Sequence, residues 1–292
     1  MIRAALVPSE LRAWLETGDP PRLLDLRGGR SFRAGHLRGA ISVPGKWLAD
    51  RLFLLPPRRR ALCLLHPNPR SAAAAAALLE ARGFTHLGWS TAGPTDLGAE
   101  WLEAGTSTGR IWEPSPFLVE ASAAMEPMRS PGAIALDLAC GSGRNGVELS
   151  LRGWDVWGVD RLPDAIRQAR RLARAAAAPA RFRVADLEAP KAIRHWLAPG
   201  RWDAILCFRY LDRARLPQMM GSLRTGGWFV LETFLEEQAR VHGKPSRPEF
   251  LLAPGELRHI FRDWRIELCR EGIDEEGSYL ASIAAQKLDS SD

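Results

Sequence analysis

Cysteine is scarce in this chain: there are four among 292 residues, Cys63, Cys140, Cys207 and Cys269, far apart and with no CxxC pair. That spacing excludes a disulfide framework or a zinc cluster as the organising device, so no metal site is expected. The four read instead as reduced, mostly buried, small apolar residues. No apolar run approaches the roughly 18–20 residues that span a bilayer. The opening Met1-Ile2-Arg3-Ala4-Ala5-Leu6-Val7-Pro8 turns polar too soon for a secretory leader. The expectation is a cytoplasmic protein with no membrane partner. No internal repeat is visible, and the single low-complexity segment, Ala72 to Ala77, reads as one helix because alanine has the highest helix propensity.

A lysine-rich tail and aromatic residues interleaved with basic ones are also missing. The net charge is +6. Residues 1–105 hold 14 basic against 9 acidic side chains, which places +5 of the excess there, including Arg51, Arg58, Arg59 and Arg60. Such an excess can mark a nucleic-acid partner. Here the arginines are scattered among leucines and alanines, which favours a solvated surface and disfavours nucleic-acid binding. Oligomeric state has no signature in the sequence.

What is present is an ordinary globular balance, 46% hydrophobic and 25% charged, in a chain longer than one typical domain. Thr106-Ser107-Thr108-Gly109, Pro114-Ser115-Pro116, Pro127 and Ser130-Pro131 punctuate the middle, broken by a short helical stretch near Phe117 to Met125. The expected division is a first domain over 1–105, a linker over 106–130 and a second domain over 131–292. In the first, Arg22–Leu26 and Ala61–Leu65 read as buried strands and Ser71–Arg82 as a helix ending at Gly83. In the second, strands are expected at Ile134–Ala139, Asp155–Val159, Arg181–Ala185, Ala204–Phe208 and Trp228–Thr233, with helical patterns between. That alternation predicts an α/β fold with a mainly parallel sheet and helices on both faces. Arg265–Arg270 and Tyr279–Gln286, around the turn at Gly277, suggest an antiparallel edge.

Ile134-Ala135-Leu136-Asp137-Leu138-Ala139-Cys140-Gly141-Ser142-Gly143-Arg144-Asn145-Gly146 reads as strand, tight glycine turn and helix start. Glycine is needed where the chain turns sharply and its backbone approaches a ligand. Such a turn lies at the carboxyl end of a strand, where ligands of open parallel sheets bind. Gly141, Gly143 and Gly146 literally satisfy the GxGxxG dinucleotide fingerprint, so a nicotinamide-dependent oxidoreductase is one alternative; a non-catalytic binding protein is another. Asp137 argues against the first, since a carboxylate on the strand would repel a pyrophosphate but suits a cationic, amino-acid-bearing ligand. Asp160, in Trp157-Gly158-Val159-Asp160, can accept from ribose hydroxyls. Asp186, in Val184-Ala185-Asp186-Leu187, sits where an adenine amino group could be read. Helix N-capping accounts for Asp160 or Asp186 singly but not for the ordered set of three.

On these residues, Pro131 to Lys287 resembles a class I S-adenosylmethionine-dependent methyltransferase. The resemblance implies a Rossmann-like seven-stranded sheet with an antiparallel last strand. It implies that Asp137, Gly141 and Gly143 line the methionine part, Asp160 holds the ribose, and Asp186 with Leu187 contacts adenine. Their neighbours Ala139, Arg161 and Phe208 complete the expected cofactor-binding set. Cys207-Phe208-Arg209-Tyr210-Leu211 follows the fourth strand, where the family meets its acceptor, and it lacks the Asn-Pro-Pro-Tyr type sequence of nucleic-acid base amino methylation. Arg209-Tyr210-Leu211, Glu232-Thr233-Phe234 and Gly243-Lys244-Pro245 before Phe250-Leu251-Leu252 are similar to small-molecule methyltransferases of the tellurite-resistance and thiopurine type. Much of such catalysis comes from alignment and desolvation. A general base is needed where the acceptor loses a proton. Arg209 and Tyr210 are the expected catalytic residues, Arg209 as an orienting cation; His242 reads as a loop histidine.

In the first domain Leu23-Leu24-Asp25-Leu26-Arg27, Phe32, Gly35-His36-Leu37-Arg38-Gly39-Ala40, Arg70-Ser71, Gly83-Phe84 and Trp101-Leu102-Glu103-Ala104-Gly105 resemble the rhodanese family. A working rhodanese carries sulfur on a cysteine thiolate five positions before the residue matched by Arg70; here that position is Leu65. Cys63 falls two residues early, inside the strand, and the loop glycine position holds Asn68. Pro67 and Pro69 remove amide donors from any anion cradle. The expectation is a module that has lost sulfur transfer.

Overall fold

The computed structural model describes residues 5–106 and 110–289. Met1 to Ala4 of the opening and the expected punctuation at Ser107-Thr108-Gly109 lie outside the described residues. The chain divides into two units, Met1–Glu113 and Pro114–Asp292.

The first unit is built on a four-stranded parallel sheet. Its strands are β1 (Arg22–Asp25), β3 (Ile41–Ser42), β4 (Leu62–Leu65) and β5 (Leu87–Ser90), in the order β3-β1-β4-β5. A two-residue antiparallel pair, β2 (His36–Leu37) with β6 (Leu102–Glu103), stands apart. The strands alternate strictly. Leu24, Leu62 and Leu64 enter one apolar cluster, while Leu23, Cys63 and Leu65 enter another on the opposite face. Both faces are covered, which is why these strands read as continuous apolar runs. Helices α1 (Pro8–Leu15), α2 (Gly29–Ala34), α3 (Pro69–Glu80) and α4 (Pro94–Leu97) supply the cover. The alanine run forms α3 as expected, with Pro69 in its first turn and the Asn68 side chain accepting from the Ser71 amide at 3.2 Å. It buries Ala72, Ala75, Ala76 and Leu79.

The second unit carries a seven-stranded sheet: β7 (Ile134–Leu138), β8 (Asp155–Asp160), β9 (Arg181–Val184), β10 (Trp202–Phe208), β11 (Leu223–Phe234), β12 (Arg265–Ile273) and β13 (Tyr279–Gln286). Their order is β12-β13-β11-β10-β7-β8-β9, parallel throughout except that β13 runs antiparallel to both its neighbours. The chain builds outward from β7 to β9, returns to β10 on the other side, and so reverses direction between β7 and β10. Ligands of open α/β sheets bind at the carboxyl ends of strands beside such a reversal. The remaining helices are α5 (Pro116–Met125), α6 (Arg144–Leu151), α7 (Pro163–Ala175), α8 (Pro190–Trp196), α9 (Leu216–Gly221), α10 (Glu236–His242) and α11 (Glu256–Ile260). One sheet face packs Ala135, Leu206, Trp228 and Val230 against α5. The other packs Leu136, Ile205, Phe229 and Leu231 against Trp196, Met219 and Leu257.

The structure shifts one expected boundary. The sequence puts residues 106–130 in a linker, yet α5 sits inside the second unit with Phe117, Leu118, Ala121 and Met125 buried in its core. Burying a side chain of that size contributes about 1.5–3 kcal/mol, which a linker helix would forgo. The division falls at Glu113 and Pro114.

Candidate active site

The turn after β7 is shaped by three glycines with three different duties. Gly141 has φ +53°, and a Cβ there would meet nothing within 4 Å, so its face opens onto space. Gly143, at φ +77°, lies where a Cβ would come within 2.7 Å of Ala169 and 2.8 Å of the Phe182 ring, which packs the turn against α7 and β9. A Cβ on Gly146 would stand 2.8 Å from Asp137 Oδ2. That closeness serves a hydrogen bond: the Gly146 amide donates to Asp137 Oδ2 at 2.9 Å. Asp137 is only 2% exposed. Burial pushes its carboxyl up to about 7, the Gly146 amide opposes the shift, and the neighbouring Asp160 adds to it.

Asp160 ends β8, next to β7. Its Oδ2 accepts from the Gly141 amide at 2.9 Å and its Oδ1 from the Leu162 amide at 2.8 Å. A carboxylate has about four acceptor positions, so each oxygen keeps a lone pair for a ligand hydroxyl. Asp186 follows β9, is exposed, and accepts from the Glu188 amide at 3.0 Å, while Leu187 beside it is buried. Arg161 is exposed. Because β7, β8 and β9 are adjacent, the structure brings Asp137, Asp160 and Asp186 to one edge, roughly 5 Å apart per strand.

On the other side of the reversal, Phe208 is half-buried at the end of β10. Ala139 after β7 and Arg209 after β10 both adopt left-handed backbone, φ +51° and +57°. The Arg209 guanidinium pairs with Asp274 at 3.0 Å, approaches Glu232 at 3.9 Å and lies over the Phe234 ring. The Tyr210 hydroxyl faces Asp212 at 3.4 Å, and burial with that carboxylate holds the phenol well above its ordinary range. His242 is exposed, its Nε2 2.9 Å from the Gly277 carbonyl oxygen; the loop reading is corrected, since the residue closes the last turn of α10, which Gly243 ends in left-handed backbone.

Sequence reasoning names Glu232 only within the Glu232-Thr233-Phe234 motif and gives it no role of its own; the structure places it in a buried polar cluster. It is 6% exposed, and Oε1 and Oε2 accept from the Ser115 and Ser282 hydroxyls, each at 3.1 Å. Burial raises its pKa, with Arg209 and the two serines opposing. The Ser115 amide donates to Asn145 Oδ1 at 2.9 Å, which ties the start of α5 to the helix that follows the glycine turn. The available signal was a lone acid inside the apolar run of β11.

In the first unit Leu65 closes β4 and Cys63 is fully buried within it, its thiol pushed up to about 12 by burial. The Asn68 amide donates to His66 Nδ1 at 3.0 Å. Arg27 grips the buried Asp25 carboxylate and the Gly35 carbonyl oxygen, its shortest contact to each being 2.6 Å, and His36 stacks on Phe32 at 3.8 Å. A cavity of about 450 Å³ lies beside the loop, lined in part by Leu26, Gly28, Lys46, His66, Ser71 and Leu78.

Residues 135–227 match the methyltransferase domain family and residues 7–93 the rhodanese-like domain family. An uncharacterized protein of Schizosaccharomyces pombe is 23% identical over 318 aligned residues, covering 92% of this chain and 94% of its own. Among solved structures, TehB from Haemophilus influenzae is 22% identical over 58% of this chain and 62% of its own, with a TM-score of 0.45. Magnesium protoporphyrin IX methyltransferase from Synechocystis PCC 6803, with bound SAH, is 16% identical over 59% of this chain and 81% of its own, with a TM-score of 0.46.

Proposed function

We propose that this chain, which carries a rhodanese-like domain ahead of an S-adenosylmethionine-dependent methyltransferase domain, methylates a small molecule and transfers no sulfur. The observation that carries the reading is the row Asp137, Asp160 and Asp186 at three adjacent strand ends around an open glycine turn. The buried Asp137 suits the cationic amino-acid end of S-adenosylmethionine, and Gly141 leaves the room its close approach needs. Asp160, steadied by two backbone amides, accepts from the ribose hydroxyls; Asp186 and Leu187 receive the adenine. Gly143, Ala139, Arg161 and Phe208 complete the cofactor side. When bound, the cofactor supplies a methyl group on a positively charged sulfur. The residues after β10 and β11 position the acceptor and exclude water, with Arg209 and Tyr210 beside it.

A cytoplasmic site of action fits the sequence, and among the described residues no helix is long and apolar enough to cross a membrane. For the first domain, the buried protonated Cys63 and the aliphatic Leu65 support a binding or regulatory role. Titration calorimetry with S-adenosylhomocysteine against NAD tests the cofactor, and a screen of metabolites with methyl-labelled S-adenosylmethionine tests the transfer. Binding of NAD alone overturns the reading.

A further inference from the structure

We propose that Glu232 accepts the proton of the methyl acceptor, and that this acceptor is a neutral or cationic N–H, O–H or S–H nucleophile, not an oxyanion. The inference rests on the methyl-transfer reading above.

Backbone pairing sets Phe208 opposite Glu232, Glu232 opposite Ser282, and Ser282 opposite Arg270. Cys207 stands opposite Leu138, so Ala139, the next residue, opens this row at the glycine turn. Strands lie about 4.8 Å apart, which puts Glu232 roughly 10 Å across the sheet from that turn. Side chains two apart on a strand share a face. Glu232 therefore follows Val230 and Trp228 onto the α5 face, and Asp137 follows Ala135 onto the same one. One carboxylate serves the cofactor end and another, across the reversal, faces the acceptor side.

The cluster around Glu232 is built and charged in a definite sense. Ser115 and Ser282 each occupy one of its oxygens, leaving further acceptor positions on both. Arg209 faces it from the end of β10 and pairs with Asp274. Arg270 faces it from β12 and pairs with Glu120 of α5 at 2.8 Å. Three carboxylates against two guanidinium groups leave one negative charge, which repels an oxyanion and accommodates a proton-bearing nucleophile. Neither alternative base competes. The Tyr210 phenol is held protonated by burial beside Asp212, and His242 turns to the Gly277 carbonyl oxygen. As the acceptor's heteroatom bonds to the methyl carbon, the carbon–sulfur bond breaks and its electron pair stays on sulfur. The acceptor's proton passes to a Glu232 oxygen and then to water.

The test offers the full chain labelled S-adenosylmethionine with thiophenol, catechol, histamine and selenite, alongside a metabolite extract. S-adenosylhomocysteine affinity is measured in parallel by calorimetry. Wild type labels an N–H, O–H or S–H compound and not selenite, with a rate that rises with pH through one ionisation. Glu232→Gln keeps the affinity within threefold, loses transfer by at least about 100-fold, and shows no pH limb. Glu232→Asp, should the amide variant melt early, keeps the limb at a reduced rate. Transfer by Glu232→Gln within threefold of wild type overturns the inference, as does a flat pH profile in Glu232→Asp or selenite as the best acceptor. Joint loss of transfer and affinity in Glu232→Gln also overturns it, because that marks a merely structural carboxylate holding α5. A wild type that binds S-adenosylhomocysteine but labels nothing, or that does not bind it, overturns the methyl-transfer reading itself, and this inference with it.

Discussion

Asp160 latches the glycine turn from the neighbouring strand: its Oδ2 accepts the Gly141 amide at 2.9 Å while its Oδ1 accepts the Leu162 amide. One side chain thus fixes both the end of β8 and the start of the turn after β7. Replacing it by alanine removes the charged acceptor from both. Asp160→Ala is expected to weaken S-adenosylhomocysteine binding by about 1.5–3 kcal/mol, the value of hydrogen bonds to a charged group. Calorimetry on a variant with native circular dichroism checks it; unchanged affinity would remove Asp160 from the ribose site.

The two left-handed glycines should respond differently to an added methyl group. Gly143→Ala drives a Cβ into Ala169 and the Phe182 ring, and is expected to cost stability by about 2–4 kcal/mol through overpacking and backbone strain together. Gly141→Ala meets open space and costs about 1–2 kcal/mol from the backbone alone. In affinity the order reverses, because only the Gly141 methyl projects where the cofactor approaches. Thermal melts beside calorimetry on both variants expose the crossing, and a parallel loss in both quantities would refute it.

Asp137 sets a pH dependence whose sign follows from its raised carboxyl, about 7 in the fold against 3.8 for a free side chain. Between those values the folded state holds a proton that the unfolded state has released. Its contribution to stability is therefore complete below about 4 and lost as pH rises through 7. Binding of a cationic ligand runs the other way, because only the ionised form attracts it. S-adenosylmethionine affinity is expected to rise through pH 7, and Asp137→Asn to flatten that slope. Calorimetry between pH 6 and 8.5 reads both outcomes.

In the first domain the buried Cys63 thiol, pushed up to about 12, is expected to resist iodoacetamide at pH 8 in the folded protein and to react only in denaturant. A thiosulfate:cyanide assay should show no turnover. Rapid alkylation in the native state would reopen sulfur chemistry there.

What the sequence disclosed and what it hid follow one physical distinction. Asp137, the three glycines, Asp160 and Asp186 are local features of three successive strand-and-turn segments, so their order along the chain is their order across the sheet. Strand β13 is readable over Tyr279–Gln286 because it is a short run of mostly small and apolar residues, buried along nearly its whole length. Helix α5 was recognised as a helix but assigned to a linker, since prolines and serines surround it and its partners, Trp228 and Val230, lie about a hundred residues away. Glu232 escaped for the same reason: its meaning depends on Ser115, 117 residues earlier, and Ser282, 50 later. On the proposed reading, the cofactor side follows consecutive turns of the chain, whereas the acceptor side is assembled by folding.

The left-handed Ala139 and Arg209 bear on how stiff the strand ends are that flank the proposed transfer site. A residue with a Cβ held in that region costs of order 1–3 kcal/mol, and here two stand at neighbouring strand ends. Glycine at either would relieve the cost, so Ala139→Gly should raise the melting temperature if its added backbone entropy in the unfolded chain is smaller than the relief. Stability gained in that way would soften two strand ends on which the proposed transfer depends. On that reading, a laboratory search for thermal tolerance is expected to find glycine at these positions at the expense of turnover.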